Sequence, residues 1–87
     1  MKLPKILKLA SGEYGLRGEE IIRGKGSRPE DRLQIADILA WQVHPEMVFD
    51  IVEIKLAGDQ ELVWLDKHDE LKSILRRIAP GKELPAG

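Results

Sequence analysis

The last third of the chain carries its clearest hydrophobic periodicity. Four apolar residues recur at positions i, i+3, i+4 and i+7, which places one apolar stripe on a helix. These residues are Leu71, Ile74, Leu75 and Ile78. Asp66 is a candidate N-cap, and Pro80 with Gly81 would end the helix. The pattern predicts one amphipathic helix near the C-terminus.

Two short runs before this helix, VEIKL and ELVWL, alternate between apolar and polar residues. With the turn segment AGDQ between them they predict a β-hairpin. A two-residue turn at Gly58–Asp59 would place Trp64 opposite Glu53 on the outer face, within reach of Lys55 for a cation–π contact. A three-residue loop would place Trp64 opposite Ile54 in the core. We favour the buried register, because large aromatic side chains mostly supply core area.

Glycine divides the first third of the chain into short segments. Strands fit around Leu3–Ala10, Tyr14–Arg17 and Glu20–Arg23. The first of these segments also satisfies helical spacing. We favour a strand there, because the segments that follow form a meander that needs a partner at its edge.

The middle of the chain fits both a helix and a pair of strands. Ser27 followed by Glu30 is a capping-box pattern, which would begin a helix over residues 28–40. The apolar residues that follow alternate with polar or small ones, which is the strand period. We favour two strands, Arg32–Ala36 and Ile38–His44, and keep the helix as the alternative. The predicted class is α+β and mainly β: a bent antiparallel sheet or partly open barrel of short strands with one C-terminal helix.

Composition narrows the class of protein further. The 87 residues, 43% hydrophobic and 33% charged, predict one small domain over residues 1–81 and a flexible tail over residues 82–87. With 14 basic and 15 acidic residues the net charge is −1, so the basic excess of a dedicated nucleic-acid binder is missing. The lack of cysteine excludes disulfides and thiolate ligands and favours the cytoplasm. No apolar run approaches the roughly 20 residues of a membrane-spanning helix.

The residue types that carry chemistry form no pattern typical of an active site. His44 and His68 lack metal-ligand spacing, and no serine has a base beside it in sequence. Neighbouring acidic residues would point to different faces of a strand or helix. We therefore predict no enzyme activity, no catalytic, cofactor-binding or metal site, and no cofactor.

Five basic residues cluster in sequence around the middle turns. They are Arg17, Arg23, Lys25, Arg28 and Arg32. Such a cluster would bind a phosphate or an anionic lipid headgroup, but the acidic residues among them largely cancel its field. Anion binding through residues 17–32 is therefore an alternative hypothesis.

The predicted order of short strands, hairpin and closing helix resembles a pleckstrin-homology-like domain of the small bacterial type. The likeness rests on YGLRGEEIIRG, RLQIADILAWQV and the hairpin followed by DELKSILRRI. It implies a strongly bent sheet with the helix at one end, used as a scaffold for binding lipid, peptide or protein. Lipid-binding members carry basic residues around the first hairpin loop. Here that loop is SGEYG, with an acid and no base, which argues against phosphoinositide binding.

These observations lead us to expect a non-catalytic binding or interaction module. A core this small gains from a partner subunit, and short strands leave open sheet edges, so we expect a homodimer or another protein as the partner. The predicted surface is a sheet edge or an apolar patch near Trp41 and Trp64, with Lys55 beside it. A small enzyme whose site has no recognisable pattern is the remaining alternative.

Overall fold

A computed structural model describes residues 14–86 of the chain. The strands are β1 (Tyr14–Arg17), β2 (Glu20–Arg23), β3 (Arg32–Gln34), β4 (Ile38–Pro45), β5 (Asp50–Leu56) and β6 (Gln60–Asp66), and the α-helix is α1 (Glu70–Ile78). Short 3₁₀ turns lie at Pro29–Asp31, Ile35–Asp37 and Pro80–Lys82. The strands predicted for β1 and β2 are confirmed, and the strand predicted at Leu3–Ala10 lies outside the described residues.

The strands form two antiparallel sheets of three strands each, in the orders β1-β2-β3 and β4-β5-β6. Helix α1 packs against β1 of the first sheet and β6 of the second. The predicted class, α+β and mainly β with a C-terminal helix, is confirmed. Within residues 14–86 the strands make two separate sheets and do not close into a barrel.

The middle of the chain forms strands, and the alternative helix over residues 28–40 is wrong. Alternation decides this outcome, because Leu33, Trp41 and Val43 enter the core from extended backbone while their neighbours stay outside. A 3₁₀ turn at Ile35–Asp37 separates the two strands. The carbonyl oxygen of its last residue accepts the Ala57 N–H at 2.9 Å, which holds the bend against the hairpin.

The hairpin of β5 and β6 takes the register that buries Trp64, which is 1% exposed. Its loop has three residues, between the paired Leu56 and Gln60, and Trp64 lies opposite Val52. The predicted partner, Ile54, is therefore two residues away on the same face. Gly58 adopts φ +80° in this loop, where a side chain would be strained.

Helix α1 begins at Glu70, later than an N-cap at Asp66 requires. Asp69 occupies the cap position in left-handed backbone, and its side chain makes no capping hydrogen bond. The buried Asp66 carboxylate, at the end of β6, instead accepts the N–H groups of Leu71 at 3.4 Å and Lys72 at 2.9 Å. Asp66 therefore satisfies the first turn of the helix, as a cap would, from outside the cap position.

The helix places its apolar stripe against the sheets, as predicted. Leu71 and Leu75 are fully buried, and Ile74 and Ile78 pack at the border of the same core. Each fully buried side chain of this size stabilises the fold by about 1.5–3 kcal/mol. No helix in the described part of the chain has the length and apolar character to cross a membrane.

The segment predicted as a flexible tail, residues 82–87, lies along β4 as far as the structure describes it. Glu83 forms a parallel bridge with Trp41, and the Leu84 N–H donates to the Trp41 carbonyl oxygen at 2.8 Å. Gln42 donates its side-chain N–H to the Pro85 carbonyl oxygen at 2.8 Å. These contacts anchor the segment to the sheet.

Candidate interaction surface

Neither tryptophan lies at the surface. Trp41 is 0% exposed and Trp64 is almost fully buried, so neither ring contributes to the predicted interaction surface. The Trp41 indole N–H donates to the Ala79 carbonyl oxygen at 3.0 Å, and Trp64 packs against Tyr14 with ring centroids 5.3 Å apart. Both rings serve the core, because their large apolar area stabilises the fold most when it is removed from water.

The basic residues of the 17–32 stretch are largely paired with acids. The ion pairs are Arg17–Glu20 at 3.4 Å, Arg23–Asp31 at 2.8 Å and Arg28–Glu30 at 3.6 Å. Arg23 also lies over the Trp64 ring at 5.2 Å, and Arg32 donates to the Arg28 carbonyl oxygen at 3.4 Å. Lys25 is exposed. Three of the five positive charges of this stretch are therefore already paired with carboxylates.

A buried lysine joins the helix to the second sheet. Lys72, 8% exposed, donates to the Asp50 carboxylate and contacts that of Asp69 at 2.6 Å. Burial by itself would lower the pKa of Lys72, but its hydrogen bonds to the two carboxylates outweigh this effect and raise the pKa. Lys72 therefore stays charged at neutral pH and acts as a structural cross-link between α1 and β5.

The two histidines were candidates for metal binding by residue type. Among residues 14–86, no group of three or more histidines and carboxylates is placed to hold a metal ion. The His44 ring lies 3.0 Å from the Glu53 carboxylate on the outer face of the second sheet, and this hydrogen bond lowers the pKa of Glu53.

The two outer strands of the second sheet differ in what covers their free sides. On β4, the bond from the Leu84 N–H shows that the backbone groups of Trp41 face away from β5. Backbone groups alternate in direction along an antiparallel strand. The residue pairing of β4 with β5 and of β5 with β6 then fixes the directions on β6. The backbone groups of Glu61, Val63 and Leu65 also face away from β5.

The free side of β6 pairs with no strand within residues 14–86. It receives one side-chain contact there, from the Tyr14 hydroxyl to the Leu65 carbonyl oxygen, which confirms the direction of that group. Burial of Tyr14 raises the pKa of its phenol to about 12, although the nearby Arg23 opposes this shift.

Strand β6 has few of the features that usually protect an edge. It runs for seven residues in continuous register with β5 and contains no lysine, proline or glycine. Val63 is 54% and Leu65 39% exposed on the outer face. The only exposed charge on the strand is Glu61, which pairs with Lys55 at 3.5 Å.

Strand β4 carries several protective features. Its pairing with β5 shifts register between Ile38 and Ala40, which marks a bulge, and the strand ends in Pro45. The C-terminal segment covers it, and Lys82 adds a bond from its ammonium group to the Ile38 carbonyl oxygen at 2.7 Å. The two edges of one sheet are therefore unequal.

Apolar side chains are also exposed in the loop between β4 and β5. Met47 and Val48 in this loop are largely exposed, and Ile51 on β5 lies directly opposite Leu65 on the outer face. Because the loop joins β4 to β5, it does not lie along the free side of β6.

A shallow cavity of about 390 Å³ lies at the closed end of the hairpin. Its lining is Leu39, Lys55, Leu56, Asp59, Gln60 and Glu61. The predicted surface residue Lys55 thus borders this cavity, where Glu61 already holds its ammonium group.

No family model, no curated protein and no solved structure matches this chain. The candidate site is therefore defined by its geometry: the outward backbone groups of β6 and the exposed side chains of Val63 and Leu65. The sequence prediction named a sheet edge without saying which strand forms it. The lack of lysine, proline and glycine in ELVWL was the available signal, but it marks an open edge only once the strand is known to lie at one.

Proposed function

We propose that this chain is a non-catalytic protein-interaction module, and that it binds a partner by adding a strand to the free side of β6. The inequality of the two edges supports this proposal. A bulge, a proline and the C-terminal segment protect β4, whereas β6 presents N–H and C=O groups that pair with no strand of residues 14–86, beside exposed apolar side chains. Backbone hydrogen bonds would supply affinity, and the alternate side chains would supply selectivity.

The position of the edge also favours binding. Val63 and Leu65 are exposed beside the outward backbone groups of β6. An incoming strand would cover part of Val63 and Leu65. Removing this apolar surface from water favours association. We place this activity in the cytoplasm, since the chain has no cysteine.

The other hypotheses have less support. Three of the five basic residues in the 17–32 stretch already bind acids, so anion binding there requires breaking these pairs. A small enzyme stays an alternative without a site to name. The resemblance to pleckstrin-homology-like domains stays a prediction, and a scaffold of that kind would suit the proposed role.

The proposal can be tested without knowing the natural partner. A displayed library of random heptapeptides is selected on the wild-type domain and counter-selected on Val63→Pro, which removes an outward N–H that β5 does not use. We expect enriched peptides with alternating apolar residues, and their binding should shift the amide resonances of residues 60–66. Failure to enrich any peptide over the Val63→Pro control, or shifts that map to β4 instead, would refute it.

A further inference from the structure

We propose that a second copy of this chain occupies the free side of β6, running antiparallel to it with a two-fold axis at Val63. The β4-β5-β6 sheets of the two copies would join into one continuous sheet, with three strands from each copy. This inference rests on the proposed function, because it names the partner of the same edge.

The spacing of the outward groups suits this symmetry. Glu61, Val63 and Leu65 face the free side, and they are placed evenly about Val63. A two-fold axis there pairs Val63 with Val63 of the second copy, and Glu61 with Leu65 of the second copy. Each outward N–H then meets an outward C=O. The Leu65 carbonyl oxygen can accept this bond and keep the Tyr14 hydroxyl, because it has two lone pairs.

Among the axes that pass through one of the three outward residues, the side chains favour Val63. An axis at Glu61 would bring two carboxylates directly opposite each other, which is destabilising. An axis at Leu65 would leave Glu61 beyond the paired region and run the second copy past the end of β6 at Asp66. An axis at Val63 places two β-branched residues side by side, a favourable cross-strand pair, and leaves Glu61 bound to its own Lys55.

The strand is short, so the dimer is weak. Seven residues on each side form a smaller contact than the roughly 20–30 residues a side of a standard stable interface. We expect dissociation constants of roughly 10 µM to 1 mM, a range in which a small domain changes state with concentration.

The first measurement is sedimentation velocity of the full chain across that range, together with amide hydrogen exchange by NMR at the two ends of it. Dimerisation should slow exchange at Glu61, Val63 and Leu65 as concentration rises. The amides of Leu62 and Trp64 already bond to β5 and should change little. This every-second-residue pattern identifies edge pairing in a way that packing of one sheet face on another would not produce.

Variants then separate the edge from the face. Val63→Pro and Val63→Lys should each weaken dimerisation at least about tenfold, since both are common protections of natural edges. Ile51→Lys is the matched control, because it adds the same charge to the same face on the central strand, whose backbone is paired on both sides. It should leave the dimer within about threefold of wild type. Amide spectra of each variant show that it folds.

The outcomes distinguish the two proposals. A chain that stays monomeric to the highest concentration, while selected peptides still bind at residues 60–66, overturns the dimer and leaves the interaction module standing. Slow exchange at Val63 and Leu65 that is independent of concentration means that the edge is already covered, and overturns both. Loss of the dimer in Ile51→Lys but not in Val63→Pro overturns edge pairing.

Discussion

The two outer strands of the second sheet differ in what satisfies the backbone hydrogen-bonding groups on their free sides. Both end the sheet, so each has a side whose backbone groups β5 cannot satisfy. On β4 these groups are covered by residues 83–85 and interrupted by a bulge. On β6 the described part of the chain offers one hydroxyl, from Tyr14. The difference therefore reflects both the bulge in the pairing of β4 with β5 and what surrounds each edge.

Covering an edge strand requires additional local contacts. The cover on β4 needs the Trp41 indole, the Arg76–Glu83 ion pair and the Lys82 ammonium group to hold it in place. Among residues 14–86 nothing comparable covers β6, and its outward groups there are left for another strand to bind.

The largest expected effect separates the two tryptophans, one on each edge strand. Trp41→Phe should destabilise the domain more than Trp64→Phe, by about 1–2 kcal/mol, because it leaves the Ala79 carbonyl oxygen without its donor. The Trp64 indole N–H has no hydrogen-bond partner among the described residues, so Trp64→Phe removes only ring area. Urea unfolding of both variants measures the difference.

The two tryptophans have similar surroundings in other respects. Each ring is buried and each lies under an arginine, Arg76 for Trp41 and Arg23 for Trp64, so both variants lose a similar cation–π contact. Equal destabilisation, or a larger loss in Trp64→Phe, would show that the indole bond does not help to hold the covered edge.

A smaller effect should appear at high pH on the β6 side. The folded-state pKa of Tyr14, about 12, lies above the ordinary value of 10.0, so the unfolded chain releases its proton first. The stability that Tyr14 contributes is therefore complete below pH 10 and is lost as pH rises towards 12. We expect a loss of about 1 kcal/mol, reduced by partial exposure, relative to Tyr14→Phe.

The chain makes this measurement direct, because Tyr14 is its only tyrosine. Its ionisation can be followed by absorbance in the folded protein, and unfolding can be compared between wild type and Tyr14→Phe across the same pH range. An apparent pKa near 10 would contradict the buried position beside β6. Lys72 also carries a raised pKa, but its contribution is common to both proteins and cancels in the comparison.

The smallest effect concerns the cover on β4. Glu83 bonds to Arg76 at 2.9 Å, and this bond lowers the pKa of Glu83. Glu83→Gln should speed hydrogen exchange of the Leu84 amide while leaving global unfolding almost unchanged, because the ion pair is exposed. The same local opening should appear in wild type as pH falls through the lowered pKa of Glu83.

Glu61→Gln is the control for this variant. It breaks a similar exposed ion pair, with Lys55, at the other edge. The exchange of the Leu84 amide should not respond to it. Equal effects of the two substitutions on Leu84 would mean that the cover on β4 does not depend on its own ion pair.

Much of the fold could be predicted from local patterns. The helix stripe of Leu71 and Leu75 and the alternation of VEIKL and ELVWL depend on residues close in sequence, so their period was readable. The burial of Trp64 was predicted from its size. Its partner was not, because placing Val52 instead of Ile54 opposite it depends on which three residues form the loop.

The candidate site was less accessible to sequence reasoning. The predicted interaction surface was centred on Trp41 and Trp64, but both rings fill the core between the sheets and α1. Val63 and Leu65 were read as ordinary members of an alternating strand. They belong to the candidate site because β6 lies at the end of the sheet. The residues of β6 do not by themselves predict that position.

The sequence by itself determined which segments are extended and which is helical, since these depend on spacing along the chain and on turn residues such as Gly58. The tertiary structure decided which strand ends the sheet, what covers each edge, and how Asp66 satisfies the start of the helix from the end of β6. Those choices join residues far apart in sequence, and only the assembled backbone says which hydrogen-bonding groups are left facing outward.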